Sequence, residues 1–308
     1  MNIFKKLLAS LCLLLSTSVF ASASNTNYSW ITFSGGALES GCRILWKEYD
    51  SIYNTTTVIM PPKPGLGGGL VVDDLLRSGK PNSAICMGPS QFILNPMLFP
   101  GKTREDQLEP IVMATRWAWV WYSSADAPAG SFEDLIKYFK SLNRPINVGT
   151  FLPVFSLIEP ILKQHGVKVN LVNFRNAPQQ YSSLADGTLD LAFDTGTGIQ
   201  IAAQNKKFKP VGYIDLARNP FYPGLRNFAN AETDLKALMT AGGIIVAVQK
   251  SMPSEEKRVL TERLSKIVNS ESFKESVNTL TSHPVGMVAP ELFYYLETNR
   301  RIIVRHWK

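Results

Sequence analysis

Strand-like and helix-like segments alternate along most of this chain, which restricts it to layered α/β architectures built on parallel strands. Short apolar runs mark strands at Trp30–Phe33, Thr56–Met60, Ser83–Met87, Ile146–Gly149, Val169–Phe174, Leu189–Phe193, Pro210–Ile214 and Gly243–Val248. Helical stretches fall at Leu70–Leu76, Phe155–Gln164, Pro178–Leu184, Ser254–Val268 and from Pro290 to the end. Ser131-Phe132-Glu133-Asp134 has the form of a capping box, and Phe132, Leu135, Ile136 and Phe139 share one helical face, so a helix starts there. Ile111–Ser123 is apolar over a length that lets a single strand pass from one sheet to another. No fixed-period repeat is present.

The N-terminus reads as an export signal: Lys5 and Lys6, an apolar core from Leu7 to Phe20, then Ala21-Ser22-Ala23 as the cleavage site. Residues 1–23 are therefore set aside from the fold. Leu11 precedes Cys12, which argues against a lipoprotein anchor, and no later apolar run approaches the ~20 residues of a membrane span. A soluble periplasmic protein is expected. Loss of the two signal lysines lowers the formal charge of +7 by two. The remainder is a mildly basic balance that favours acidic small ligands, and it is too diffuse for nucleic acid. With 45% apolar residues the chain has enough for large cores, and its length suits two domains. Cys42 and Cys86 remain after cleavage; a disulfide and two buried free thiols both fit an oxidising compartment.

The run Trp30 to Arg43 reads as a strand, a glycine turn and the start of a helix. Glycines let backbone N–H groups approach a ligand closely, and a helix N-terminus adds partial positive charge, so the turn suits a carboxylate or another anion.

Several motifs in register resemble the substrate-binding receptors of the tripartite tricarboxylate transporter family, the Bug-type periplasmic receptors. Ser34-Gly35-Gly36-Ala37-Leu38-Glu39 stands where that family has Pro-Gly-Gly-x-x-Asp, with Arg43 on its following arginine. Pro64-Gly65-Leu66-Gly67-Gly68 is similar to Pro-Gly-Ala-Gly-Gly, Asn95-Pro96-Met97-Leu98-Phe99 to Asn-Pro-x-Leu-Tyr, and Phe193-Asp194-Thr195 to Phe-Asp-Asn. The resemblance implies a two-lobed Venus-flytrap fold of the type II periplasmic binding proteins, with two crossover strands and the ligand between the lobes. One lobe would comprise residues 24–123 and 243–308, and the other residues 124–242. It also implies a monomer that captures a small organic acid without a cofactor and delivers it to membrane transporter subunits.

Departures from the family pattern bear on the ligand. Gly149-Thr150-Phe151-Leu152-Pro153-Val154-Phe155 replaces a Gly/Ser-rich loop, Glu39 replaces Asp, and Thr195 replaces Asn. A larger, more apolar or aromatic acid is expected. The strand-end turns after Phe33, Met87, Gly149 and Phe193 are where an open α/β sheet binds its ligand. The candidate ligand residues are Ser34, Gly35, Gly36, Ala37, Leu38, Glu39, Ser90, Trp117, Thr150, Phe151, Arg175, Asp194 and Thr195. Trp119 and Trp121 read as core, while Trp117, nearest the junction, reads as a wall of the site. Arg116 and Arg175 have the planar guanidinium that matches a carboxylate, although most arginines lie on solvated surfaces. Asp194 suits either a ligand amine or a structural pair.

Enzyme chemistry has little support. His165, His283 and His306 are far apart with no ligand spacing, and Gly88-Pro89-Ser90-Gln91-Phe92 lacks the second glycine of a nucleophile elbow. Gly65–Gly69 lacks the Lys-Ser/Thr of a phosphate loop. A partner of a membrane sensor kinase and a periplasmic hydrolase are the alternatives to the transport receptor.

Overall fold

A computed structural model describes residues 25–307 except 34, 64, 151–154, 156, 175–176, 216–217, 232–234, 236–237 and 239–241. The export signal read at 1–23 lies outside the described residues, as do the candidate site residues Ser34, Phe151 and Arg175. No helix among the described residues is long and apolar enough to cross a membrane.

The strands form two mixed sheets. The first contains β1 (Thr26–Ile31), β2 (Thr56–Met60), β3 (Ser83–Met87), β4 (Leu108–Arg116), β10 (Gly243–Gln249) and β11 (His283–Met287), in the order β11-β4-β10-β3-β1-β2. The second contains β5 (Trp119–Ser124), β6 (Ile146–Thr150), β7 (Val169–Asn173), β8 (Leu191–Asp194) and β9 (Phe208–Ile214), in the order β7-β6-β8-β5-β9. The strands joined through helices pair in parallel, as expected: β1 with β2 and β3, and β6 with β7 and β8. The strands by which the chain passes between sheets run the other way. β10 pairs antiparallel with β3 and β4, and β5 pairs antiparallel with β8 and β9. The apolar stretch expected as one strand from Ile111 to Ser123 is broken into β4 and β5, with Trp117 and Ala118 between them. An apolar run carries no mark of which sheet it joins, so its break was invisible in the composition.

Local signals explain most of the helices. Ser131 caps the helix Phe132–Ser141 by accepting from Asp134 N–H at 3.0 Å and donating to the Asp134 carboxylate at 2.8 Å. That helix buries Phe132, Leu135, Ile136 and Phe139, the stripe its sequence spacing indicates. The helix Ser254–Val268 has the expected bounds. β11 was not anticipated, because it contains Pro284 and a glycine at φ +68° and lies at a sheet edge.

Cys42 and Cys86 are joined in a disulfide, which decides the alternative left open by the sequence. It ties the helix Gly36–Tyr53 to β3 across a Cα–Cα distance of 6.2 Å. The start of that helix and the residue after β3, Gly88, both line a cavity between the two sheets.

Two motifs separated in sequence, the Gly65–Gly69 loop and the Asn95-Pro96 segment, are joined by side-chain hydrogen bonds. The turn Leu66–Gly68 presents the Gly67 carbonyl to Gln91 Nε2 at 2.6 Å and to Asn95 Nδ2 at 3.1 Å. Asn95 also donates to Glu105 at 2.7 Å, and all three polar side chains are buried. A Cβ on Gly68, whose φ is +91°, would lie 2.5 Å from Gln91 Nε2 and 2.9 Å from Thr32 Cβ, so this position requires glycine. The Gly65–Gly69 loop is a buttress behind the cleft and does not line it.

Candidate functional site

A cavity of about 300 Å³ lies between the two sheets and takes walls from both. On the first side, β1 ends at Ile31 and the chain turns through Gly35 and Gly36, at φ +77° and +69°, into the helix Gly36–Tyr53. A Cβ on either glycine would meet nothing within 4 Å. Gly35, Gly36, Ala37 and Leu38 all line the cavity. The loop after β3 adds Gly88, Ser90 and Gln91, and Ser90 is buried at the start of the helix Pro89–Leu98.

From the second side come Asp194 and Thr195 at the end of β8, Thr197, and Ala177, Pro178 and Tyr181 of the helix Ala177–Ala185. Tyr181 O–H donates to the Asp194 carboxylate, and Thr195 supplies backbone and side-chain hydrogen bonds to it. Burial pushes the Asp194 carboxyl up to about 6 even though these donors pull it down. The Tyr181 phenol is raised far above its ordinary value by burial and by the adjacent carboxylate. Tyr122 O–H bonds the Thr195 carbonyl at 2.7 Å and fixes the turn from behind. Gly198 leaves room for both tyrosines: a Cβ there would sit 2.2 Å from Tyr181 Oη and 2.8 Å from Tyr122 Oη.

The structure thus brings together Gly35, Gly36, Ala37, Leu38, Ser90, Trp117, Asp194 and Thr195 from the sequence candidates. Two candidates are placed elsewhere. Glu39 turns back to its own helix end, accepting from Gly35 N–H at 2.7 Å and from Arg43 at 2.7 Å and 3.0 Å. The Gly35 N–H bond, foremost, and Arg43 hold its carboxyl below the ordinary range against a smaller opposing effect of burial. Thr150 ends β6, donates to the Val172 carbonyl at 3.5 Å, and is not among the cavity walls. Arg116, weighed as a carboxylate anchor, is ion-paired with buried Asp215, which Asn219 also bonds at 2.8 Å.

The tryptophans divide differently from the expectation. Trp121 is core, packed edge-on against Phe132, Phe193 and Phe228. Trp119 faces the cavity as well as Phe155, and it meets Trp117 edge-to-face at 6.0 Å. Sequence reasoning also passed over Tyr181, Gln91, Ile201 and Leu280. Tyr181 shares the buried stripe of Ala177 and Leu184, so helical spacing marks it as core. Leu280 reaches the site from a distant part of the chain, with no local signal at all.

No protein-family profile matches the chain, and no curated protein matches it by sequence. Solved structures do match. The periplasmic binding protein BugD shares 18% identity over 91% of this chain and 95% of its own, with a TM-score of 0.75. A Rhodopseudomonas palustris protein, Rpa4515, with adipate, shares 17% identity over 91% and 94%, with a TM-score of 0.78. MatC of the same organism, with bound malate, shares 16% over 91% and 97%, with a TM-score of 0.72. The motifs read in the sequence and the architecture therefore agree: this chain is built on the two-sheet α/β fold of the Bug- and TctC-type periplasmic binding proteins.

Proposed function

We propose that this chain is a periplasmic solute receptor that holds a small organic acid between two lobes and delivers it to the membrane subunits of a tripartite tricarboxylate-type transporter. The observation that carries this function is the cavity walled from both sheets, with a glycine turn and helix start on one side and the Asp194–Thr195 turn on the other. We assign the first lobe to residues 24–118 and 243–308 and the second to residues 119–242, moving the bound read from the sequence at 123/124 because the strand Trp119–Ser124 pairs within the second sheet. Proteins of the same fold that hold malate and adipate support an acid as ligand, and the Lys5–Ala23 signal supports export. The ligand is bound and released without chemistry. Trp117, Trp119 and Ile201 favour an aromatic or branched apolar body, which an edge-on ring would stabilise by about 0.5–1.5 kcal/mol beyond area burial.

Thermal-shift screening with aliphatic dicarboxylates, aromatic carboxylates and amino acids tests the assignment, since a ligand that binds only the folded state raises the melting point. Gly36→Val places a branched side chain in the open space of the turn, at a φ that costs an L-residue about 1–2 kcal/mol. The variant is expected to stay folded and lose binding. Binding equal to the parent would remove the turn as the acid's seat.

A further inference from the structure

Asp194 is 5% exposed and lies among the cavity walls. The groups that meet its carboxylate, Tyr181 O–H and the Thr195 backbone and hydroxyl, are all neutral. No ion pair among the described residues includes it, and Arg116 is paired with Asp215. Buried carboxylates are ordinarily paired with a cation or take up a proton. Among the described residues this one is given no counter-charge, and it opens on the cavity instead of being sealed into a core, so a cation can reach it from the cavity.

Across the cavity, the Gly35–Leu38 turn opens an 18-residue helix, an end that favours negative charge. The remaining walls include Phe33, Trp117, Trp119, Ile201 and Leu280, which offer apolar and aromatic surface. On the solute-receptor assignment above, we propose that the cleft selects an amino carboxylate. Its cationic amino group pairs with Asp194, its carboxylate meets the Gly35–Leu38 turn, and an apolar body joins the two. A dicarboxylate of equal length brings a second negative charge against Asp194, and one of the two must then hold a proton. A plain monocarboxylate desolvates Asp194 further and gives it no partner.

The sign of the pH dependence separates these ligands. Among the described residues, the other titratable groups facing Asp194 are the phenols of Tyr181 from the helix Ala177–Ala185, Tyr122 from β5 and Tyr222 from the loop after β9. All three are raised by burial and remain neutral throughout the range. With Asp194 titrating at about 6 in the empty cleft, an amino ligand binds fully above that pH and loses affinity as pH falls through it. The loss is about tenfold between about pH 7.5 and about pH 5. An acid that must share a proton with Asp194 shows the reverse trend.

The test is calorimetry on the exported chain with two matched sets: ε-aminocaproate, adipate and hexanoate, and p-aminomethylbenzoate, terephthalate and p-toluate. The amino member of at least one set is expected to bind tightest, with the stated pH trend. In Asp194→Asn, shown folded by its melting curve, the amino member should fall to the level of the plain acid. The pH trend of the parent protein tests the proposal even where that variant does not fold. Tightest binding of a diacid or plain acid, or affinity that rises toward low pH, overturns the amino carboxylate and leaves the receptor function standing. Absence of binding throughout both sets overturns the proposal; absence throughout the wider acid and amino-acid panel as well removes the receptor function.

Discussion

Replacement of Gln91 by leucine should cost about 3 kcal/mol of folding stability, because this side chain joins three separate segments behind the cleft. Gln91 is 1% exposed. Its Oε1 accepts from Gly88 N–H at 2.7 Å and Thr32 O–H at 2.8 Å, and its Nε2 donates to the Gly67 carbonyl at 2.6 Å. Leucine fills a similar volume but makes none of these bonds. Two of the partners keep a second contact: Thr32 O–H with the Cys86 carbonyl at 3.4 Å and Gly67 with Asn95 at 3.1 Å. Each of those bonds is worth about 1 kcal/mol net, whereas the Gly88 N–H loses its acceptor at a cost of about 1–3 kcal/mol. The gain from the more apolar leucine offsets about 1 kcal/mol of the total. Urea unfolding followed by tryptophan fluorescence and circular dichroism measures the change as a shift of midpoint at constant m-value. A loss below about 1 kcal/mol would refute the account of Gln91 as the joint between β1, the Gly65–Gly69 loop and the helix Pro89–Leu98. Because Gln91 also lines the cavity, ligand affinity should fall in the same variant.

Two further outcomes follow from the same geometry. The disulfide closes a 44-residue separation, so changing Cys42 and Cys86 together to alanine should remove about 4 kcal/mol by the chain-entropy relation, read from the unfolding midpoint under oxidising conditions. A loss near zero would show that packing of the helix Gly36–Tyr53 on β3 suffices without the link. Asp194 has a folded pKa of about 6 against an ordinary value of 3.8, so its contribution to the ligand-free protein is fully present below about pH 4 and is lost as pH rises through about 6. The difference is on the order of 3 kcal/mol. Asp194→Asn should abolish that segment of the stability–pH curve and leave the protein more stable than the parent at about pH 7.5. Parallel curves for the two proteins would show that Asp194 is not desolvated in the empty cleft.

What the sequence determined by itself was carried by short-range physics. The alternation of apolar runs and helical stripes specified an α/β chain, the Ser131 box started a helix where expected, and the helix Ser254–Val268 was legible to the residue. The glycine turn at Gly35–Gly36 stands between a strand and a helix as read, and the structure adds that both glycines have positive φ. Tertiary structure decided what depends on partners far along the chain. Glu39 and Arg116 carry the chemistry of an anion site, yet one caps its own helix and the other pairs with a residue 99 positions away. Trp119 and Trp121 obey the same alternation, but one faces the cavity and the other the core, since a strand's period says which residues share a face and not what that face meets. Cys42 and Cys86 pair only because the helix after the glycine turn lies across β3, and Leu280 reaches the site only because the chain returns to the first sheet. Hydrogen-bonding and hydrophobic periods are written over a few residues, whereas the choice of which surfaces face one another is made by the topology of the two sheets.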